Sequence, residues 1–288
     1  MTWKDIGIAL ISSILFALTI VLTKLGINDF PPLFFAALRC ILLLPLILFV
    51  PRPKISWGSL MTFCMCWSVV YLGGVNIALS TGFGAGISIL MIQLSSFFAI
   101  FFSNIFLKEK AKKNEIMGML FGFIGLFFIC SEKGLDGNFL GIASLLTASL
   151  FYAFGTIQSK IIKVNPFALI IWISALSIIP FLMGSILMDE PIINSIVNAQ
   201  NSSWGIVMFA SWGSVLLAST SWLYLVKKYP ISTISSFRLL IPVFGLFFSV
   251  LFLSEVYTLL TWMGAGIIII GLILTQFKFK NQLMEKVK

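Results

Sequence analysis

Long apolar runs follow one another along almost the entire chain. With 59% hydrophobic residues, 10% charged residues and a mean hydropathy of +1.08, its 288 residues carry too few charges to cover a water-facing globule. Crossing the roughly 30 Å of hydrocarbon in a bilayer takes a helix of about 20 residues. Ten runs suit that length, at residues 6–24, 33–50, 58–79, 86–107, 116–130, 140–159, 167–187, 204–226, 233–253 and 257–276. The sequence therefore predicts an all-α polytopic membrane protein with ten transmembrane helices.

The second half of the chain repeats part of the first half. Residues 101–126 and 247–272 align without a gap, 146 positions apart, and share 11 identities in 26 positions. The identities include Ser, Glu and Gly, which apolar bias does not readily produce. The repeat predicts two five-helix units, residues 1–133 and 138–280, followed by a tail at 281–288. Because five is odd, the two units are inverted in the membrane and enclose a central cavity.

The distribution of Lys and Arg residues among the loops indicates how the chain is oriented in the membrane. If the N-terminus is cytoplasmic, fifteen Lys and Arg residues fall in cytoplasmic segments and two fall on the opposite side. Positive residues accumulate in cytoplasmic loops, so both termini are predicted to be cytoplasmic. The net charge of +9 is then a topology signal. Outside the spans no basic face with interleaved aromatic residues supports nucleic-acid binding.

A stripe of polar and small residues runs along the ninth predicted span. The charged member of this stripe is Arg238. Because a guanidinium inside hydrocarbon is costly, it marks a functional site, where paired hydrogen bonds can hold a carboxylate. The alternative is that the arginine of this stripe extends to the lipid headgroups near the cytoplasmic end, and the sequence leaves both interpretations open. The stripe recurs at helical spacing and consists of Ser235, Arg238, Pro242, Gly245 and Ser249.

The fourth predicted span carries a matching face of small residues. Ser96 and Ser103 align in the repeat with Pro242 and Ser249, and small residues allow helices to pack closely. These four positions are given a structural or gating role. Arg39 in the second span receives the same role, as do the acidic residues that close the fourth and ninth spans, Glu109 and Glu255.

Amides and aromatic rings within the spans are further candidates for substrate binding. A buried amide needs a partner in the bundle or in a ligand, and aromatic walls exclude water around a polar metabolite. Packing within the bundle is the alternative role for the rings. Together with Arg238, the candidates are Gln93, Gln158, Trp67, Tyr71, Tyr152 and Trp172.

Several function classes lack the residues that they need. The chain has no histidine, and its carboxylates lie in loops or at the ends of spans. Neither a metal site nor an enzyme active site is expected, and no cofactor is predicted. A symmetric bundle can form a channel, but no charged ring or filter-like loop indicates one. Because no carboxylate lies near the middle of a span, small zwitterionic or anionic metabolites are favoured over cationic drugs.

Short motifs resemble a known family. The fourth and ninth spans end in Leu-x-Glu, at Leu107–Glu109 and Leu253–Glu255, and the second span opens with Pro31-Pro32-Leu33. Together with two five-span halves, they resemble the EamA-type permeases of the drug/metabolite transporter superfamily over nearly the whole chain. The resemblance implies alternating access and efflux of small metabolites across the inner (cytoplasmic) membrane of a bacterium.

Some segments are similar to those of EamA permeases that export O-acetylserine and cysteine, namely the segments around Gln93, Trp172 and 239–243. The chain departs from them at Arg238, where they carry a small residue, so a larger or more acidic metabolite stays open. The resemblance implies proton coupling, but no buried acid is evident to carry the proton, which leaves facilitated exchange open. The alternative function is a permease of the same fold that moves a nucleoside-like or phosphorylated metabolite, in either direction.

Overall fold

The computed structural model describes residues 1–106, 113–133, 135–162, 164–229, 237–238 and 240–276. Glu109, Ser235 and the tail at 281–288 lie outside the described residues, as does the side chain of Ser103. Across the described ranges the chain forms helices, turns and loops, and no strand.

Eleven helices follow one another in the described part of the chain. They are α1 (Trp3–Gly26), α2 (Pro32–Ile41), α3 (Trp57–Ser80), α4 (Ala85–Phe106), α5 (Lys113–Lys133), α6 (Leu135–Ile161), α7 (Pro166–Leu187), α8 (Ile192–Asn198), α9 (Asn201–Lys228), α10 (Leu240–Leu253) and α11 (Leu259–Gln276). A 3₁₀ turn at Leu44–Leu48 follows α2.

The prediction of an all-helical membrane protein is confirmed. Of the described helices, six are long and apolar enough to cross a membrane: α1, α3, α4, α6, α7 and α9. Four further predicted spans correspond to shorter apolar helices, which are α2 with its 3₁₀ turn, α5, α10 and α11. The α2 span is broken where Pro45 removes a backbone donor and disfavours a continuous helix. The short helix α8 is not among the predicted spans.

Helices of the first half, α1–α5, pack mainly on helices of the second half, α6–α11. α5 lies along α11, α2 packs on α7, and α4 contacts α10. α1 packs on α9 and α10, while α6 packs on α3 and α4. When α1–α5 are matched in order with α6, α7, α9, α10 and α11, each of these contacts has a counterpart in the other half or is its own counterpart.

Glycines bring the backbones of α5 and α11 into close contact. A Cβ atom on Gly125 would lie 2.6 Å from the carbonyl oxygen of Gly264, and one on Gly271 would lie 2.7 Å from the carbonyl oxygen of Gly118. The repeat aligns Gly118 with Gly264 and Gly125 with Gly271. The two contacts are therefore counterparts, and they are of the kind that small residues permit between membrane helices.

Gly264→Val is expected to lower the melting temperature of the detergent-purified protein by roughly 3 to 10 °C. The added carbons would overlap the carbonyl oxygen of Gly125, 2.8 Å from the new Cβ, and the side chain of Ile129. Gly266→Val on the same helix is the matched control, because a Cβ atom there meets nothing within 4 Å. Equal melting temperatures for the two variants would contradict close packing of α5 on α11.

Candidate functional site

A cavity of about 50 Å³ lies between the two halves, among α1, α2, α3, α6, α7 and α9. We call it the Arg39 chamber. No described residue of its wall is acidic. Its volume holds roughly three to five water molecules, so a metabolite enters only if the helices separate. The polar part of the wall consists of Thr19, Thr23, Arg39, Ser68, Asn76, Ser174, Ser214 and Ser219.

A second cavity, of about 20 Å³, adjoins the first. We call it the Arg238 chamber, since Arg238 lines it together with Gln93, Trp222 and several isoleucines. Four residues line both chambers and form what we call the partition: Phe16, Ile20, Tyr71 and Tyr152. The chambers are therefore two compartments of one region between the halves.

The guanidinium of Arg238 lies over two aromatic rings inside the bundle. Its Cζ atom is 5.1 Å from the ring centroid of Tyr152 and 5.6 Å from that of Trp222. Both rings are buried, and a guanidinium over such rings gains cation–π attraction. The Arg238 side chain thus has partners in the protein interior.

Gln93 interrupts α4 beside the Arg238 chamber. Regular α-helix ends at Ile92 and resumes at Leu94, and the buried side-chain amide of Gln93 donates to the carbonyl oxygen of Arg238 at 3.0 Å. The hydroxyl of Ser149 in α6 donates to the carbonyl oxygen of Met91 at 3.1 Å. Interrupted helices with partly freed backbone groups form the substrate sites of several carrier folds.

The walls of the Arg39 chamber include two π-helical segments, Met65–Val70 in α3 and Phe209–Ala218 in α9. They correspond under the 146-residue repeat. Trp67 and Ser68 project from the first segment, and Ser214 projects from the second. The wider turn of a π-helix is found at many functional sites, and here it occurs on both sides of the cavity.

The structure brings three predicted aromatic candidates together. The rings of Trp67 and Tyr152 have centroids 4.7 Å apart, and those of Tyr71 and Tyr152 are 4.4 Å apart. Phe63 extends this row, stacked 5.3 Å from Trp67. The rings of Trp67, Tyr71 and Tyr152 line the Arg39 chamber, and those of Tyr71 and Tyr152 also belong to the partition.

Two predicted candidates lie outside both chambers. The side-chain amide of Gln158 donates to the carbonyl oxygen of Ser59 at 3.0 Å, which joins α6 to α3. The indole N–H of Trp172 donates to the carbonyl oxygen of Val50 at 3.0 Å, which joins α7 to the segment after α2. In this conformation both side chains connect elements of the bundle.

The small residues of the stripe pack within the bundle. Pro242 and Ser249 are buried in α10, and the hydroxyl of Ser249 donates to the carbonyl oxygen of Leu246 at 2.9 Å. Ser96 is half-buried in α4, where its N–H donates to the carbonyl oxygen of Gln93 at 3.0 Å. Ser96 therefore lies in the first turn after the interruption of α4.

Glu255 joins the second half to the start of α4. Its carboxylate accepts hydrogen bonds from the N–H groups of Ala85 and Gly86, at 2.6 and 3.3 Å. The hydroxyl of Tyr257 donates to the same carboxylate and lies 2.7 Å from that of Ser249. An acidic group at a helix N-terminus binds N–H groups that lack helical partners and interacts favourably with the helix dipole.

Two more carboxylates make the same kind of contact between the halves. Glu190 accepts hydrogen bonds of 3.1 and 3.0 Å from two N–H groups in the first turn of α2. Asp29 accepts from the N–H of Gln200 at 2.9 Å and from the hydroxyl of Ser203 at 2.7 Å, at the start of α9. These donors, Gln200 first, hold the pKa of the Asp29 carboxyl below its usual range.

The opposite end of the bundle has an ion pair between the halves. Asp5 in α1 lies 2.8 Å from Lys228 at the end of α9 and accepts a 2.6 Å hydrogen bond from the hydroxyl of Tyr229. Because successive membrane-crossing helices alternate in direction, Asp29, Glu190 and Glu255 share one end of the bundle, and Asp5 lies at the other. Contacts therefore join the halves at both ends, with the two chambers between them.

Sequence reasoning misses the two carboxylates Asp29 and Glu190 and the hydroxyl groups of Ser174 and Ser214. An acidic residue just before a helix is a recognisable N-terminal signal, but Glu190 binds the start of a helix in the other half. The serines occur singly in apolar runs, where one sequence does not distinguish a cavity wall from a packing contact. Asp29 precedes Pro32 by three residues, but it too binds the start of a helix in the other half, α9.

A helical membrane bundle of two similar halves, with a cavity between them that several polar side chains line, is the architecture of a membrane carrier. The chain belongs to the EamA-like transporter family, which it matches over residues 3–131 and 139–277. This confirms the family resemblance that its motifs indicate.

The relatives of the chain include named efflux pumps. A protein of Escherichia coli K12 named "Probable amino-acid metabolite efflux pump" is 28% identical, covering 100% of this chain and 99% of the relative. A Salmonella typhimurium protein of the same name is 27% identical, covering 97% of each chain. A Bacillus subtilis protein named "Uncharacterized transporter YoaV" is 25% identical, covering 94% of this chain and 96% of the relative.

A solved crystal structure has the same fold. It superposes with a TM-score of 0.68 over 100% of both chains, at 13% sequence identity.

Proposed function

We propose that this chain is a ten-span permease that exports a small amino-acid-like metabolite, of the cysteine or O-acetylserine type, by alternating access. It is built from two inverted five-helix repeats, 1–133 and 138–280, and its termini, with the tail at 281–288, are cytoplasmic in a bacterial inner membrane. The observation that carries the proposal is the pair of adjoining cavities between the halves, one lined by Arg39 and the other by Arg238. The tandem family matches and the reciprocal helix contacts support the repeat.

The chemistry of the cavity supports a zwitterionic or anionic substrate. Two guanidinium groups are available to a carboxylate, while hydroxyl and amide groups around them offer further hydrogen bonds. We assign substrate contact to Arg238, Gln93, Trp67, Tyr71 and Tyr152. The names of the Escherichia coli and Salmonella relatives support the direction of transport and the substrate class.

The contacts at the two ends of the bundle are proposed to act as gates. The end of the bundle at which these residues lie opens when three contacts break. Glu255 separates from α4, Glu190 from α2 and Asp29 from α9. Glu109, the repeat counterpart of Glu255, is proposed to act at the opposite end.

A specific observation also favours the alternative substrate class. The guanidinium groups of Arg39 and Arg238, which line adjoining chambers, suit a phosphate as well as a carboxylate. The second candidate function is therefore a permease of the same fold for a phosphorylated or nucleoside-like metabolite, transported in either direction.

Counterflow in proteoliposomes tests the proposed function. Vesicles preloaded with unlabelled cysteine or O-acetylserine are expected to accumulate labelled O-acetylserine, whereas protein-free vesicles and vesicles preloaded with glycerol 3-phosphate or uridine are not. Counterflow of labelled glycerol 3-phosphate or uridine into vesicles preloaded with the same compound, without exchange of O-acetylserine, would establish the alternative. No exchange with any preload would contradict both substrate assignments.

A further inference from the structure

We infer that Arg39 binds the carboxylate of the substrate, and that the Arg39 chamber receives the carboxylate and ammonium groups of an α-amino acid. The inference rests on the proposed function, since it concerns the substrate of the same cavity. It replaces the structural or gating role that the sequence predicts for Arg39.

The guanidinium of Arg39 is buried and has no acidic partner among the described residues. The residue is 3% exposed, lines the chamber, and has no hydrogen-bond partner for its Nε atom. In the described part of the chain, the recorded ion pair is that of Lys228 with Asp5, at the end of the bundle. The nearest recorded ring contact is Phe35, with its centroid 6.0 Å away on the same helix.

A buried charge without a counter-ion destabilises a protein, because the charge loses its hydration and gains no compensating attraction. A ligand carboxylate would supply the missing charge, and the guanidinium fork of Arg39 matches it with two parallel hydrogen bonds. Arg238 differs, because its guanidinium already lies over Tyr152 and Trp222. We therefore assign the substrate carboxylate to Arg39, whose charge has no acidic partner among the described residues, rather than to Arg238.

Hydroxyl groups of the same chamber suit the ammonium group of an amino acid. Thr19, Ser174 and Ser219 each donate their hydroxyl hydrogen to a backbone carbonyl oxygen, at 2.6, 2.8 and 3.2 Å. A hydroxyl that donates in this way retains lone pairs that accept hydrogen bonds from an ammonium group. When the carboxylate and ammonium groups of the substrate occupy the Arg39 chamber, the substrate side chain extends toward the partition and the Arg238 chamber.

Direct binding to detergent-purified protein tests this inference, measured by calorimetry with three probes. L-cysteine carries a carboxylate and an ammonium group, 3-mercaptopropionate carries only the carboxylate, and L-cysteine methyl ester carries only the ammonium group. Wild-type protein is expected to bind cysteine most tightly, 3-mercaptopropionate more weakly and the methyl ester weakest. Arg39→Met is expected to weaken cysteine binding by roughly tenfold or more, with little change for the methyl ester.

Thermal melting separates substrate binding from a structural role. If Arg39 serves the ligand, ligand-free Arg39→Met melts at or above the wild-type temperature, because an uncompensated buried charge is removed. Arg39→Lys keeps the charge without the fork and is expected to bind cysteine roughly threefold to tenfold more weakly. Arg52→Met is the matched control, since Arg52 stacks 3.9 Å over Trp57 outside both chambers, and it should bind as wild type does.

Unchanged cysteine affinity in Arg39→Met would overturn the inference, as would a wild-type protein that binds neither carboxylate probe. If Arg39→Met both melts below the wild-type temperature and loses cysteine binding, the Arg39→Lys variant distinguishes a binding role from a structural one. A restored melting temperature with weakened binding supports the inference, and full restoration of both overturns it. Arg39-dependent carboxylate binding without counterflow of cysteine or O-acetylserine would leave the inference standing and refute the proposed function.

Discussion

Arg238→Ala raises the apparent KM for O-acetylserine by roughly tenfold or more, the result expected if this guanidinium contacts the substrate. Arg238 and Gln93 line the Arg238 chamber, where the acetyl carbonyl of O-acetylserine would find hydrogen-bond donors. Cysteine has no such carbonyl, so its KM should rise less. Initial rates of counterflow in proteoliposomes measure both values.

Arg238→Lys and Arg52→Ala are the controls for this prediction. Lysine retains the charge but lacks the planar fork that stacks on Tyr152 and Trp222, so an intermediate KM is expected. Arg52→Ala removes a positive charge outside the chambers and should leave KM unchanged. Wild-type kinetics in a correctly inserted Arg238→Ala protein would limit Arg238 to packing against the two rings.

We expect Glu255→Ala to open the end of the bundle at which α4 begins. The change removes the acceptor for the N–H groups of Ala85 and Gly86. Hydrogen bonds to charged groups contribute roughly 1.5 to 3 kcal/mol each in typical cases, so the open population should rise by about tenfold or more. We expect a maleimide applied from that side to label Ser174→Cys, in the Arg39 chamber, faster by a similar factor. The background for this reporter lacks Cys40, Cys64, Cys66 and Cys130.

Asp189→Asn is the matched control, because Asp189 is an exposed carboxylate at the same end of the bundle. Its left-handed backbone, with φ of 52°, is one that asparagine tolerates well. Labelling of the reporter should not change in this variant. Equal labelling rates in Glu255→Ala and wild type would show that the contact with α4 does not control access.

The sequence predicts the fold well because the bilayer restricts the choice of structure. Apolar runs of sufficient length must form helices in lipid, and the described helices follow the predicted runs closely. The differences are local. Pro45 divides the second span, and the π-helical segments of α3 and α9 have no distinct sequence pattern. The interruption of α4 at Gln93 is likewise not foreseen.

The site is predicted less completely, because helical spacing gives the face of a helix but not what that face contacts. Arg238, Gln93 and Tyr152 line the Arg238 chamber. Trp172 and Gln158 instead donate to backbone carbonyls outside both chambers. The two arginines look alike in the sequence, as single cations within spans. They differ in the structure through rings and helices that come from distant parts of the chain.

The carboxylates at the ends of the bundle show the same limitation. Glu255 is recognisable from its motif, but its partners at the start of α4 lie 169 and 170 residues away. Spacing along one chain segment contains no information about such contacts. The repeat partly replaces that information, since it predicts a counterpart for Glu255 at Glu109.

The most direct test of alternating access through this cavity is maleimide labelling of Ser174→Cys from each side of the membrane. Right-side-out and inside-out vesicles are labelled with a membrane-impermeant reagent, with and without O-acetylserine. Alternating access predicts labelling from both sides, slowed on both sides by the same substrate, because one site opens to each face in turn. Labelling from one side only, or labelling that O-acetylserine does not slow, would contradict it.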